Sequence, residues 1–105
     1  MKELDKLEEY LKEKGIKYER YDEMPLSKNY IIDYHQICVP CWNPETRDWD
    51  AICHRGSFGY EEGLLEIMGS ITRNDDVEGW LTAEDVIERI EEHDKEGTIR
   101  KDRST

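Results

Sequence analysis

Long apolar runs are missing from this sequence, and no stretch approaches the roughly 18 apolar residues that a membrane-spanning helix needs. The residues after Met1 also lack the apolar segment of an export signal. Hydrophobic residues make up 36% of the chain, and they cluster in periodic blocks, which argues against general disorder. We therefore expect a cytoplasmic protein with one modest core and no membrane partner.

Cysteine is scarce: the chain has three, and this odd number without an export signal argues against a disulfide framework. Cys38 and Cys41 form a C-x-x-C, and Cys53 and His54 follow after eleven intervening residues. Thiolates at this spacing can share a tetrahedral zinc ion, but a second C-x-x-C is missing. A redox role is less favoured, because such a motif normally opens a helix. We predict no cofactor, and the alternative function is a small zinc-binding adaptor that uses these four residues.

Cations are scarce in one third of the chain. Residues 59–93 contain two of them, Arg73 and Arg89, beside eleven carboxylates, and so carry −9 of the net charge of −11. Such a field repels phosphates and attracts basic surfaces, so we predict a basic protein partner and no direct binding of nucleic acid. The predicted partner-binding residues are these carboxylates: Glu61, Glu62, Glu66, Asp75, Asp76, Glu78, Glu84, Asp85, Glu88, Glu91 and Glu92.

The apolar periodicity predicts three helices and three strands. Leu4 and Leu7 recur at helical spacing, whereas Val, Ile and Tyr dominate the best strand candidate, residues 30–39. Thr82 and Asp85 have the spacing of a capping box before the last helix. We expect helices over 2–14, 60–71 and 83–93, strands over 16–21, 30–39 and from Trp49 onward, and a loop over 22–28.

A hairpin turn is predicted at residues 43–48, which combine asparagine, proline and aspartate. If Trp42 lies opposite Trp49, the antiparallel register also places Cys38 opposite Cys53 on the same face. The tryptophan pair then belongs to the core or clasps the hairpin.

The expected fold is α+β, with a small three-stranded antiparallel sheet and three helices packed against it. We expect a single domain over residues 1–93. The charged tail over 94–105 is predicted to be disordered.

The segment Arg55–Gly59 superficially resembles a phosphate-cradling loop, because two glycines precede a predicted helix. It lacks the lysine of a P-loop, and Glu61 and Glu62 follow where they would repel a phosphate. We interpret it as a structural turn that leaves Phe58 available as an exposed contact, and we expect the chain to re-enter the core at Trp80.

A resemblance is carried by three segments, Trp49–Cys53, Gly59–Gly69 and Gly79–Ile87, within a similarity that spans most of residues 1–93. They resemble small phage and prophage proteins of gut Firmicutes. In size and charge the chain is also similar to anti-CRISPR inhibitors of type II effector nucleases, a class defined by function and not by one fold. The resemblance implies a non-enzymatic inhibitor of an RNA-guided DNA nuclease, acting in the bacterial cytoplasm as a monomer or homodimer.

The mechanism implied by this resemblance is nucleic-acid mimicry. Carboxylates on a rigid frame would compete for the cationic channel of the nuclease, or for the arginines that read the short motif beside the target. Glu84, Glu88 and Glu91 or Glu92 suit this role, because their three- to four-residue spacing puts them on one side of a helix. The alternative interpretation is that the acidic charge serves solubility only.

Overall fold

Five antiparallel strands form one sheet across the part of the chain that the structure describes, and they lie side by side in chain order. The computed structural model describes residues 1–73 and 76–104, with side chains for 1–25, 27–31, 34–73 and 76–94. The elements are α1 (Lys2–Lys14), β1 (Glu19–Ser27), β2 (Tyr30–Val39), β3 (Trp49–His54), β4 (Leu65–Gly69), β5 (Glu78–Leu81) and α2 (Ala83–Ser104), with a 3-10 turn at Tyr60–Glu62.

Helices α1 and α2 cover one face of the sheet. The leucines of α1 are fully buried against Ile37 of β2, Ile67 of β4 and Val86 of α2, in one apolar cluster. Alternation along β3 sends Trp49 and Ala51 into the same cluster. We call this side the helix-covered face.

The opposite side of the sheet, which we call the open face, carries a polar and aromatic set. It comprises Tyr34, Gln36 and Cys38 of β2 and Asp50, Ile52 and His54 of β3, which the register pairs directly across the two strands. The two faces therefore differ in chemistry as well as in cover.

The start of α2 confirms the predicted capping box. The backbone N–H of Thr82 donates to Asp85 Oδ2 at 3.0 Å, and the N–H of Asp85 donates to Thr82 Oγ1 at 3.2 Å. These two bonds satisfy amides that a helix N-terminus leaves unpaired. The predicted helix over 2–14 is likewise confirmed as α1. The helix predicted over 83–93 is longer in the structure, where α2 runs to Ser104. The side chains beyond Asp94 lie outside the described ones, and the disorder predicted for 94–105 stays a prediction.

The predicted three-stranded sheet with three helices is wrong. Residues 60–71 do not form a helix: a single 3-10 turn is followed by β4, where Leu65 and Ile67 are buried and Met68 is exposed. Their pairing with β3 on one side and β5 on the other selects the strand over a helix. β1 also extends through the predicted loop, and Pro25 is tolerated there because β1 lies at the edge of the sheet.

The predicted hairpin register is wrong by three residues. β2 ends at Val39, which pairs with Trp49, so residues 40–48 form the connection. Proline at position 40 has no amide hydrogen to continue the ladder beyond Val39. Because side chains alternate along a strand, an odd shift exchanges the faces. Cys38 therefore lies opposite Asp50 and not opposite Cys53.

Candidate functional site

Three of the predicted partner-binding carboxylates are engaged inside the fold. Glu66 is only 8% exposed, and its Oε1 accepts the backbone N–H of Phe58 at 3.0 Å. Glu78 accepts the backbone N–H of Arg73 at 2.6 Å and Arg89 Nε at 2.7 Å. Together with Asp85 in the capping box, these acids stabilise local structure, and we leave them out of any contact surface.

The pKa shifts of two of these acids follow from their contacts. Burial acts to raise the pKa of Glu78, but the bonds from Arg73 and Arg89 outweigh it, so the pKa is lowered. The pKa of Asp85 is lowered chiefly by its bond from the backbone of Thr82. The Glu78 and Asp85 carboxylates therefore stay ionised at neutral pH, and protonation would weaken the hydrogen bonds that they accept.

A row of exposed carboxylates runs along α2, and we call it the acidic ridge: Glu84, Glu88, Glu91 and Glu92. The side chains of Glu84 and Glu88 are 67% and 60% exposed. Residues four apart on a helix rise by about 6 Å, so the ridge is a regular line of negative charge about 12 Å long. Glu84, Glu88 and Glu91 or Glu92 were predicted to line one side of a helix, and all of them lie within α2.

Two cations lie against the acidic ridge. Lys6 Nζ is 3.5 Å from Glu84 Oε1, and Arg73 Nη2 is 3.3 Å from Glu88 Oε1 and 2.8 Å from Glu92 Oε1. Among the described side chains, these are two cations beside four carboxylates, so this part of the ridge carries more negative than positive charge. Such exposed pairs stabilise the fold little, so a stronger cationic partner can displace them.

The remaining predicted acids lie apart from the acidic ridge. Glu61 and Glu62 are exposed in the 3-10 turn, and Asp76 is exposed with its Oδ1 accepting the N–H of Val77 at 2.7 Å. Asp75 lies outside the described residues. The eleven acids therefore do not form one surface.

The structure does not gather the four residues of the alternative zinc site. Cys38 lies on the open face and Cys53 on the helix-covered face, so the strand register separates the two thiols. Cys41 Sγ contacts Thr46 Oγ1 at 3.2 Å, and His54 Nδ1 lies 2.9 Å from the carbonyl oxygen of Arg55. Among the described residues, no three His, Cys, Asp or Glu side chains group closely enough to hold a metal ion.

Buried polar groups on the open face hold the connection between β2 and β3. Asp50 Oδ2 accepts Gln36 Nε2 at 2.9 Å and lies 3.4 Å from Arg47 Nη1, while Arg47 also donates to the carbonyl of Trp42. Burial raises the pKa of Asp50, and burial raises the pKa of the Cys38 thiol to about 11. That thiol is therefore protonated and a poor nucleophile at neutral pH.

An open groove of about 530 Å³ lies between the 3-10 turn and β5. We call it the aromatic groove, and its apolar walls are Phe58, Tyr60 and Trp80. Phe58 and Trp80 are stacked, with ring centroids 5.1 Å apart and planes inclined by 28°. Although paired, the two rings are 51% and 58% exposed, so much of their apolar area faces water.

Two glycines allow the backbones beneath the aromatic groove to approach each other. A Cβ on Gly79 would lie 2.3 Å from Phe58 Cβ, and a Cβ on Gly59 would lie 3.0 Å from Trp80 Cα. The N–H of Trp80 donates to the carbonyl of Phe58 at 3.2 Å, and Glu66 holds the N–H of Phe58. The groove is therefore a fixed part of the fold.

Trp80 has the only positive φ, 55°, among the described residues other than glycine. A large side chain in the left-handed region of backbone conformation costs free energy, and residues with such strained backbones concentrate at functional sites. The expectation that Trp80 enters the core is wrong, because only its neighbour Leu81 is buried. The sequence carries only an indirect signal for the aromatic groove: glycines at 59 and 79 stand next to Phe58 and Trp80, and no residue spacing or charge pattern marks the groove.

Comparisons with protein-family models, with curated proteins and with solved structures each found no match to this chain. None of the described helices is long and apolar enough to cross a membrane.

Proposed function

We propose that this chain is a non-enzymatic acidic protein that binds a basic nucleic-acid-binding groove of another protein and blocks it. The observation that carries the proposal is the acidic ridge: four carboxylates on one helix, with two cations against them among the described side chains. The helix begins at a capping box and packs on the core through Val86 and Ile90, so the line is rigid.

The chemistry of the acidic ridge suits competition with a phosphate backbone. A groove that binds nucleic acid carries arginines and lysines arranged for repeated negative charges. Carboxylates about 6 Å apart on a helix offer such a groove repeated negative charge without a nucleic acid. The net charge of −11 adds long-range attraction, which raises association rates and falls with added salt.

An RNA-guided DNA nuclease of type II is the target that the resemblance favours. Its channel for the guide–target duplex and the arginines that read the adjacent motif are both cationic. The proposal places the protein in the cytoplasm of the bacterial host, where such a nuclease acts. It is compatible with a monomer or with a homodimer.

The first experiment is cleavage of target DNA by guide-loaded type II nucleases, titrated with this protein. The proposal expects inhibition near one protein per nuclease, and weaker inhibition as salt is raised. Adding the protein before or after the DNA identifies the blocked step, since a competitor acts only before DNA is bound. Absence of inhibition across several such nucleases would remove this target class from the proposal.

A charge-reversal variant tests the acidic ridge itself. Glu84, Glu88 and Glu91 are changed together to lysine, which should weaken binding of the basic target by at least about tenfold. Thermal unfolding checks that the variant still folds.

The matched control changes Glu9, Glu23 and Glu45 to lysine. All three are exposed and lie outside α2, so the net charge changes by the same amount. The control should retain most of the binding. Equal losses in both variants would show that total charge matters and the ridge does not.

A further inference from the structure

The aromatic groove combines exposed rings with carboxylates at its rim. Glu61 and Glu62, both exposed, line it beside Phe58, Tyr60 and Trp80, and Arg55 is the one cation among its lining residues. Aromatic faces attract cations through their quadrupoles, and carboxylates attract them directly. The groove therefore offers two favourable interactions to a cation and one unfavourable one.

The chemistry of the aromatic groove favours an arginine side chain over a compact ammonium. A planar guanidinium can stack on the exposed face of an aromatic ring and pair with a carboxylate in the same plane. The apolar stem of the side chain, and aliphatic neighbours in the same segment, can cover ring area that now faces water. Phosphate or another anion is disfavoured, because Glu61 and Glu62 outnumber Arg55.

The groove is already formed before any ligand binds. Ser57 Oγ donates to the carbonyl of His54 at 2.8 Å, and the N–H of Leu64 donates to the carbonyl of Gly59 at 2.9 Å. With the backbone bonds of Phe58 and Trp80, these contacts hold the backbone that carries the two rings. Binding therefore loses little backbone conformational entropy, which favours affinity.

We propose that the aromatic groove binds an arginine-bearing segment of a protein partner, with the guanidinium against Phe58 and Trp80 and paired with Glu61 or Glu62. This site lies outside the acidic ridge and goes beyond the proposed function. A partner can use it whether or not the ridge enters a nucleic-acid-binding groove. The two therefore have separate tests.

The probe is the capped tripeptide acetyl-Leu-Arg-Leu-amide, titrated into the isotopically labelled protein and followed by NMR. Saturable shifts are expected at the indole N–H of Trp80 and the amides of Gly59 and Gly79. The matched peptide replaces arginine by citrulline, which keeps the shape and removes the charge. It should bind about fivefold more weakly or worse.

Two variants locate the binding. Trp80→Gly removes one ring at a position whose φ of 55° suits glycine, so the fold is preserved and saturable binding should be lost. Glu61→Gln with Glu62→Gln should weaken the arginine peptide severalfold and leave the citrulline peptide unchanged. The control, Glu23→Gln with Glu45→Gln, removes the same charge elsewhere and should bind like the unaltered protein.

Three results would overturn the proposal: no saturable shift at the groove, equal affinity for the two peptides, or unchanged binding by Trp80→Gly. None of these depends on nuclease inhibition. Failure of the groove and failure of the acidic ridge are therefore distinguishable.

Discussion

On the helix-covered face, Ile37, Leu65 and Ile67 are 0% exposed, whereas in the aromatic groove Phe58 and Trp80 are 51% and 58% exposed. Each aliphatic side chain on the first surface stabilises the fold by about 1.5–3 kcal/mol through burial. The second surface leaves aromatic area in water and holds one residue at an unfavourable φ. The buried aliphatic side chains and the exposed rings thus lie on different parts of a small domain, so each set can be altered separately.

The largest effect is expected on the helix-covered face. Ile67→Ala should lower the free energy of unfolding by about 2–5 kcal/mol, because it removes a fully buried side chain and leaves a cavity. Its control is the next residue of the same strand: Met68 is 52% exposed on the other face, and Met68→Ala should change stability by about 0.5 kcal/mol or less. Urea unfolding measures both variants, and similar losses would contradict the contrast between the faces.

A moderate effect is expected where α1 is attached to β1. Arg20 is 13% exposed and contacts Asp5 at 2.8 Å, Glu8 at 3.2 Å and Asp22 at 3.1 Å. The hydrogen bond from Arg20 lowers the pKa of Asp5. Burial acts to raise the pKa of Asp22, but hydrogen bonds from His35 and Arg20 outweigh it, so this pKa is also lowered. Arg20→Gln should cost about 2 kcal/mol at pH 7.

The pH dependence of the Arg20 variant has a definite sign. Carboxyls whose pKa is lowered by folding stabilise the protein above their unfolded pKa, and this contribution is lost as the pH falls through the lower folded value. The stability difference between the two proteins should therefore shrink below about pH 4. Urea unfolding from pH 7 to pH 3 measures it, with the exposed Lys12→Gln as control. A difference that is constant with pH would exclude the ionic explanation.

The smallest effect on stability is expected in the aromatic groove. Trp80→Gly loses ring stacking of about 0.5–1.5 kcal/mol, but it relieves a left-handed conformation that costs about 1–2 kcal/mol. The two terms should nearly cancel. Trp80→Ala loses the ring and keeps the strain, so it should be less stable than Trp80→Gly, the reverse of the order expected in an ordinary strand. Thermal unfolding compares them, and a more stable alanine variant would show that the φ is not strained.

Local signals were enough for some parts of the fold. α1 was predictable because its leucines repeat at helical spacing within one short segment, and the capping box because both its bonds join residues three apart. Residues 65–69 were not, because their apolar side chains fit either a helix or a strand. The strand was selected by its pairing with β3 and β5, two segments that the sequence does not show to be its neighbours.

The candidate sites were predictable to different degrees. The acidic ridge follows from helical spacing, so Glu84 and Glu88 could be placed on one side of a helix in advance. Glu66 and Glu78 could not be separated from them, because their contacts with Phe58 and Arg89 join elements that the sequence does not show to be neighbours. The aromatic groove needs Gly79 against Phe58, a contact across 21 positions, and so it had no local signature.

The amino-acid sequence by itself determined the net charge and the clustering of negative charge in residues 59–93, because both depend on composition alone. It also determined α1 and the start of α2, because their signals lie in short local segments of the sequence. Only the tertiary structure decided which carboxylates face solvent, which face of the hairpin carries Cys38, and that Trp80 lies at the surface. These properties depend on strand register and on contacts between distant segments. A shift of register by an odd number of residues reverses them without changing a single amino acid.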